Sequence, residues 1–164
     1  MEDDKSTAVT CTILAIDHSN CYYRACAVCE RPLPDDSTTG VLSSCKFCDF
    51  RAFNSVSSGS IRLFRILMSI ATDTKVLTVI CFDKVARVLF GCSADEFFDF
   101  AKLHPFSGET VDKILEGEMF QMTLSKPQNG NAQHLRVVSA VPLRSRFQPA
   151  IEALREHYGS RDGS

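Results

Sequence analysis

The chain contains no tryptophan among its 164 residues and only four histidines, scattered along its length. No nucleophile sits in a recognisable motif, so an enzymatic reading finds no residues to carry it. No apolar run approaches the ~20 residues that cross a bilayer. The first residues, MEDDKSTAVT, are acidic where a targeting segment is basic. A soluble, intracellular protein is expected. Neither sign of charge dominates: 18 Lys and Arg stand against 20 Asp and Glu, a net charge of −2, which counts against a simple electrostatic binder of nucleic acid. The length suits one sizeable core, so the expectation is a single domain over residues 1–158 followed by a flexible tail at 159–164.

Cysteine, by contrast, is plentiful, with eight residues in a chain that lacks a secretory signal. In a reducing compartment, metal ligation and buried thiols take precedence over disulfides. The stretch YYRACAVCERPLPDDSTTGVLSSCKFCDFRAF, residues 22–53, holds two Cys-x-x-Cys pairs, Cys26 with Cys29 and Cys45 with Cys48, separated by fifteen residues. Each such turn presents two thiolates to one side of an ion, and two turns close a zinc tetrahedron. One structural Zn2+ is therefore expected. A thioredoxin-like redox pair would open a helix in a βαβ unit and would need no second pair. His18 is the only nearby nitrogen ligand and reads as a surface-loop histidine. Four thiolates leave no open position for water, and the His-x-Glu or Cys-x-Glu element of a zinc deaminase is missing. Cys11, Cys21, Cys81 and Cys92 have no ligand spacing and read as buried thiols.

AVTCTILAID, residues 8–17, reads as a strand that ends at Asp17. From Ser60, Phe64, Ile66, Met68 and Ile70 recur at every second position, which puts them on the core face of a strand with Arg65 and Ser69 opposite. KVLTVICFD, residues 75–83, is a further strand joined to it through the short turn ATDT. KVARVLFG has helical spacing and stops at Gly91. SADEFFDFAKL opens on a capping box, Ser93 with Glu96, ahead of Phe97, Phe100 and Ala101 facing the core. SGETVDKILEG is a short helix. EMFQMTLS and AQHLRVVSAVPL read as strands about an Asn129-Gly130 hairpin. The last helix aligns Phe147, Ile151, Leu154 and Tyr158 on one face, with Pro149 at its start. The fold class is mainly β: a five-stranded OB-fold barrel with a zinc ribbon inserted between strands 1 and 2 at about residues 20–55, helices between strands 3 and 4, and a C-terminal helix.

In that order and spacing, AIDHSNCYYRACAVCERPL, CKFCDF, RLFRILMSIATDT and VICFDKVARVLFGCSADEFFDF resemble the C-terminal DNA-binding domain of the large subunit of replication protein A, including plant and transposon-borne relatives. With the two late strands, the resemblance spans nearly all of residues 8–158. It implies single-stranded DNA binding in the nucleus, a structural knuckle that shapes the groove, and assembly with other OB-fold subunits through the helix after the barrel. Phe82 matches a family aromatic that stacks on a base, and Cys26, Cys29, Cys45 and Cys48 match the zinc ligands. The loop SKPQNGNAQH lacks the aromatic that other members carry between the last strands. The chain lacks the tandem OB domains of a full large subunit, and its MEDD start favours a small dedicated paralogue over a fragment.

Single-strand binders combine a positive groove with aromatic faces for stacking. The phosphate candidates are Arg24, Lys46, Arg51, Arg62, Arg65 and Lys84, and the base candidates are Tyr22, Phe47, Phe53 and Phe82. Phe47 and Phe50 also suit the packing of a zinc knuckle. Arg65 is either solvated or in the groove, and Phe82, on its own residues alone, reads as core. Residues 95–118 carry seven acidic side chains against Lys102 and Lys113, while Arg136, Arg144, Arg146 and Arg155 cluster late. Few phosphate contacts imply weak, salt-sensitive affinity. The competing class is an interaction module that docks partners through Phe147, Ile151, Leu154 and Tyr158, unless those residues only cover the open end of their own barrel.

Overall fold

The computed structural model describes residues 6–33, 60–126 and 134–162. In chain order the elements are β1 (Ser6–Ile16), β2 (Tyr22–Cys26), β3 (Ser60–Ala71), β4 (Val76–Phe82), α1 (Asp83–Phe90), α2 (Ala94–Leu103), α3 (Ser107–Leu115), β5 (Met119–Ser125), β6 (Leu135–Pro142) and α4 (Ala150–Asp162).

Strict alternation builds the barrel. Phe64, Ile66, Met68 and Ile70 of β3 are buried, whereas Arg65 is exposed between them. Val79 and Cys81 of β4, Phe120 and Met122 of β5, Val137 of β6 and Ile13 of β1 fill the same interior. β1 pairs antiparallel with β5 from Ser6↔Ser125 to Thr12↔Met119, and with β3 from Thr12↔Ala71 to Ile16↔Met68. The ring β1–β5–β6–β4–β3 thus closes on itself, with β4 and β6 parallel. A register shift between Ile13 and Ala15 leaves Leu14 unpaired and bends β1 from one partner to the other. This is the five-stranded closed barrel expected from the sequence, with its helices between the third and fourth barrel strands.

The sixth strand, β2, lies in the stretch that sequence reasoning assigned wholly to the cysteine insertion. It pairs antiparallel with the outer part of β3, from Tyr22↔Phe64 to Cys26↔Ser60. On the other edge of β3, pairing with β4 stops at Arg65↔Phe82. The next outward N–H groups on that edge are taken by carboxylates. Asp83 Oδ1 accepts from the Phe64 N–H at 3.1 Å, and Asp95 Oδ2 accepts from the Arg62 N–H at 3.3 Å. Both aspartates stand in the first turn of a helix, where the macrodipole favours negative charge.

The helices close one end. Phe90 of α1 lies 4.5 Å from Phe64 and 5.1 Å from Phe97, ring centre to ring centre. α1 stops at Gly91, which adopts φ 75° and directs its N–H to the Arg87 carbonyl at 2.7 Å. A Cβ at Gly91 would overlap Pro149, so this turn requires glycine twice over. The Ser93–Glu96 capping box of α2 is formed on both sides.

In α4, Ile151 and Leu154 are buried in the chain's own core, and Phe147 packs edge-on against Phe120 at 5.1 Å. Tyr158 is stacked on His104 at 4.4 Å and hydrogen-bonded with Thr110 at 3.2 Å. Phe147, expected on the helix, lies in the irregular stretch before it, because α4 begins only at Ala150; Ile151, Leu154 and Tyr158 form the helical face, and all three pack on this chain's own core. α4 also continues to Asp162, past the Tyr158 boundary and into the expected flexible tail. A solvent-facing Gly159 costs a helix only about 1 kcal/mol, too little to end it.

Candidate nucleic-acid interface

On the outward side of β3 and β4, Arg65 and Thr78 are exposed and Leu67, Ser69, Ile80 and Phe82 are half-buried. Arg65 and Phe82 stand directly opposite each other on it, with Leu67↔Ile80 and Ser69↔Thr78 following in register. Strand alternation adds Tyr23, whose partner Leu63 shares the outward side with Arg65. Tyr23 and Phe82 are half-buried and Arg65 is exposed between their strands, so two ring systems flank one cation. Partial burial raises the Tyr23 hydroxyl above its ordinary value, with Asp83 and Glu30 adding to the shift, and this ring therefore stays neutral. Lys84 follows Phe82 as an exposed residue in the first turn of α1. Further along the face, Ala15, Asp17, Leu67, Ser69 and Thr78 line a hollow.

Other expected contacts fall elsewhere. Arg62 and Tyr22 lie on the opposite side, facing α2. The Arg62 guanidinium pairs with Asp95 at 3.0 Å and lies 3.5 Å above the Phe98 ring. Tyr22 meets the same ring edge-on at 5.6 Å. These two residues fasten α2 to the sheet. The sequence did hold the signal for Tyr23, because adjacent strand residues point to opposite sides and one ring of the Tyr-Tyr pair had to face outward. Cys45, Lys46, Cys48, Arg51 and Phe53 lie outside the described residues, as does the Asn129-Gly130 turn.

Cys26 ends β2 and Cys29 follows in a tight turn. The Val28 N–H donates to Cys26 Sγ at 3.3 Å, and the Glu30 N–H donates to the Cys26 carbonyl at 2.8 Å. Glu30 takes a left-handed φ of 64°, which lets the chain return alongside β2, where the Leu33 N–H reaches the Arg24 carbonyl at 3.0 Å. A backbone N–H aimed at sulfur stabilises a thiolate, and the two sulfur-bearing residues sit on one short turn. This geometry fits one half of a tetrathiolate zinc site. The other cysteines behave differently. Cys11, Cys21, Cys81 and Cys92 are buried, and burial pushes Cys21 and Cys92 to about 11 and Cys81 to about 12. They are core thiols.

A closed five-stranded barrel with a parallel β4–β6 closure, helices at one end and an open face over β3 and β4 defines an OB-fold protein. The family model for the replication factor-A C terminal domain matches residues 7–138, and the chain belongs to that family. A comparison with curated proteins finds no match. Among solved structures, one chain of a replication protein A heterotrimer bound to ssDNA superposes with a TM-score of 0.67 at 18% identity, over 96% of this chain and 36% of that one. A chain of yeast RPA bound to ssDNA superposes with a TM-score of 0.62 at 17% identity, over 99% of this chain and 88% of that one. The present chain thus spans about a third of the first of these two.

Proposed function

We propose that this chain is a non-catalytic OB-fold subunit that binds single-stranded DNA across the outward face of β3 and β4, within a multi-subunit complex of nuclear DNA metabolism. The observation that carries the reading is the Arg65–Phe82 pair. A cation and an aromatic face stand side by side on the exposed side of the barrel, with Tyr23 on the neighbouring strand. Stacking contributes about 1–3 kcal/mol per base whatever its sequence. Arg65, for which no ion pair exists among the described residues, is available to a phosphate, with Lys84 beside the same strand end. The test is fluorescence anisotropy with a labelled oligonucleotide at low salt. Single strands should bind more tightly than duplex, and Phe82→Ala and Arg65→Gln should each weaken binding about tenfold or more. Equal binding of single strand and duplex, or no loss in either variant with the fold intact, would refute the assignment.

Cys26, Cys29, Cys45 and Cys48 are proposed to hold one structural Zn2+, supported by the Cys26–Cys29 turn and by the fifteen-residue spacing of the pairs. The ion would tie the segment after β2 into one unit and supply no chemistry of its own. Metal analysis should return one equivalent, and Cys26→Ser should lower both zinc content and stability.

A second reading, subunit docking without DNA, is favoured by one feature. Leu103 and Phe106 are 77% and 68% exposed at the corner between α2 and α3, beside the His104–Tyr158 stack that anchors α4. Partner subunits would meet α4 and this corner, since Ile151 and Leu154 are already covered. A complex that survives Phe82→Ala but dissociates with Leu103→Glu and Phe106→Glu would support docking at this corner.

A further inference from the structure

The hollow on the barrel face differs in chemistry from the Arg65–Phe82 end. It has a volume of about 260 Å³, just below the roughly 300 Å³ at which pockets for drug-sized ligands begin, which suits a single small ring. Ala15 and Leu67 offer apolar surface to a ring face. The hydroxyl-bearing residues Ser69 and Thr78 stand opposite each other across β3 and β4. Among the described residues, no Lys, Arg or His lines the hollow. Among the described residues a phosphate would meet no cation there, only the acidic Asp17.

Asp17 is held in place. Its Oδ1 accepts from the Ser19 N–H at 3.1 Å and from the Ser19 hydroxyl at 2.6 Å, while its own N–H donates to the Leu67 carbonyl at 2.8 Å. Oδ2 has no hydrogen bond among the described residues. The two Ser19 bonds, with a smaller contribution from His18, hold this carboxyl below the usual range, so at neutral pH it is an anion that only accepts hydrogen bonds.

We propose that the hollow is a nucleobase subsite that selects a base with an exocyclic amino group, cytosine foremost, through Asp17 Oδ2; the inference rests on the single-strand reading above. Cytosine presents its N4 amino group where thymine presents the O4 acceptor, and an aspartate acceptor facing O4 is repelled and left unsatisfied. A pyrimidine also suits the size of the hollow better than a purine. Thr78 lies four residues along β4 from Phe82, roughly 13 Å at strand rise, so a base here and a base stacked on Phe82 would leave room for an intervening nucleotide.

The experiment compares oligo-deoxycytidine with oligothymidine of equal length, by anisotropy, on the wild-type chain and on Asp17→Asn. Asparagine keeps the shape and can still accept from Ser19, but it brings an amide that can donate to thymine O4. The wild type should bind the cytosine strand more tightly by at least about fivefold. Asp17→Asn should bring the two strands to parity or reverse their order. Equal binding in the wild type, or a cytosine preference that survives in Asp17→Asn, overturns the subsite while leaving single-strand binding intact. Binding of neither strand by folded wild-type protein overturns the single-strand reading and the subsite together.

Discussion

Replacing Asp83 with alanine tests how β3 is held where β4 ends. The carboxylate accepts from the Phe64 N–H at 3.1 Å and from Arg87 Nε at 2.8 Å, and it occupies the first turn of α1. Alanine strands the Phe64 N–H, and Phe64 has no exposed surface, so the cost is that of an unsatisfied buried donor, about 1–3 kcal/mol. Loss of the partly exposed Arg87 pair adds about 0.3–0.5 kcal/mol, and loss of negative charge at the helix start adds about 0.3–1 kcal/mol. The better helix propensity of alanine returns a few tenths of a kcal/mol. The net expectation is about 1–4 kcal/mol, a large share of the roughly 5–15 kcal/mol that holds a domain of this kind together. Asparagine retains an oxygen for Phe64 and loses only the charge, so it should cost about 1 kcal/mol. Urea unfolding followed by circular dichroism separates the two through midpoint shifts at constant slope. If Asp83→Ala falls within about 0.5 kcal/mol of wild type, or matches Asp83→Asn, the carboxylate does not serve as the missing strand partner.

Three further outcomes follow from the same structure. Gly91→Ala should cost about 2 kcal/mol or more in urea unfolding, because the left-handed backbone and the overlap with Pro149 both oppose a Cβ. Ser93→Ala should cost about 1 kcal/mol and partly release Glu96, whose carboxyl is held below the usual carboxylate range by the residue 93 N–H, which alanine keeps, and by the Ser93 hydroxyl, which it loses. That depressed value contributes stability above the unfolded carboxylate range and loses it as pH falls through the folded value, so the variant should show a smaller acid-side loss and a raised Glu96 titration by NMR. Cys21, Cys81 and Cys92, at about 11, 12 and 11, should resist an aromatic disulfide reagent at pH 8 in the native state and react on unfolding. Rapid native labelling of Cys81 would contradict its place in the barrel core.

The barrel was legible in the sequence because it obeys local rules. Period-two burial marked β3, the Ser93–Glu96 box marked the start of α2, and Gly91 marked the end of α1. What escaped was set by pairing at a distance. β2 looks like part of a cysteine loop until β3 is seen to run on past its pairing with β1, which ends at Met68, and to take Tyr22–Cys26 as its partner on that edge. Arg62 looked like a free cation, yet Asp95, thirty-three residues away, claims it along with its backbone N–H. Tyr22 and Tyr23 are equivalent by composition, and only the register against β3 decides which ring faces outward. Ile151, Leu154 and Tyr158 do form a helical face, but Phe147 precedes the helix, and spacing alone does not say where a helix starts or whether its apolar stripe meets its own core or another chain.

The double pairing of β1 has a consequence for how the chain comes into being. Its Ile13–Ile16 segment can join β3 once residues near 70 have emerged from the ribosome, but its Ser6–Thr12 segment pairs with residues 119–125. At ordinary synthesis rates of about 5–20 residues per second, that second edge waits on the order of ten seconds for its partner. Throughout the interval the edge of a Thr- and Val-bearing strand stands open, the state in which neighbouring nascent chains can pair with one another. The edge that the finished barrel closes is therefore open only before folding is complete, until β5 arrives to pair with it.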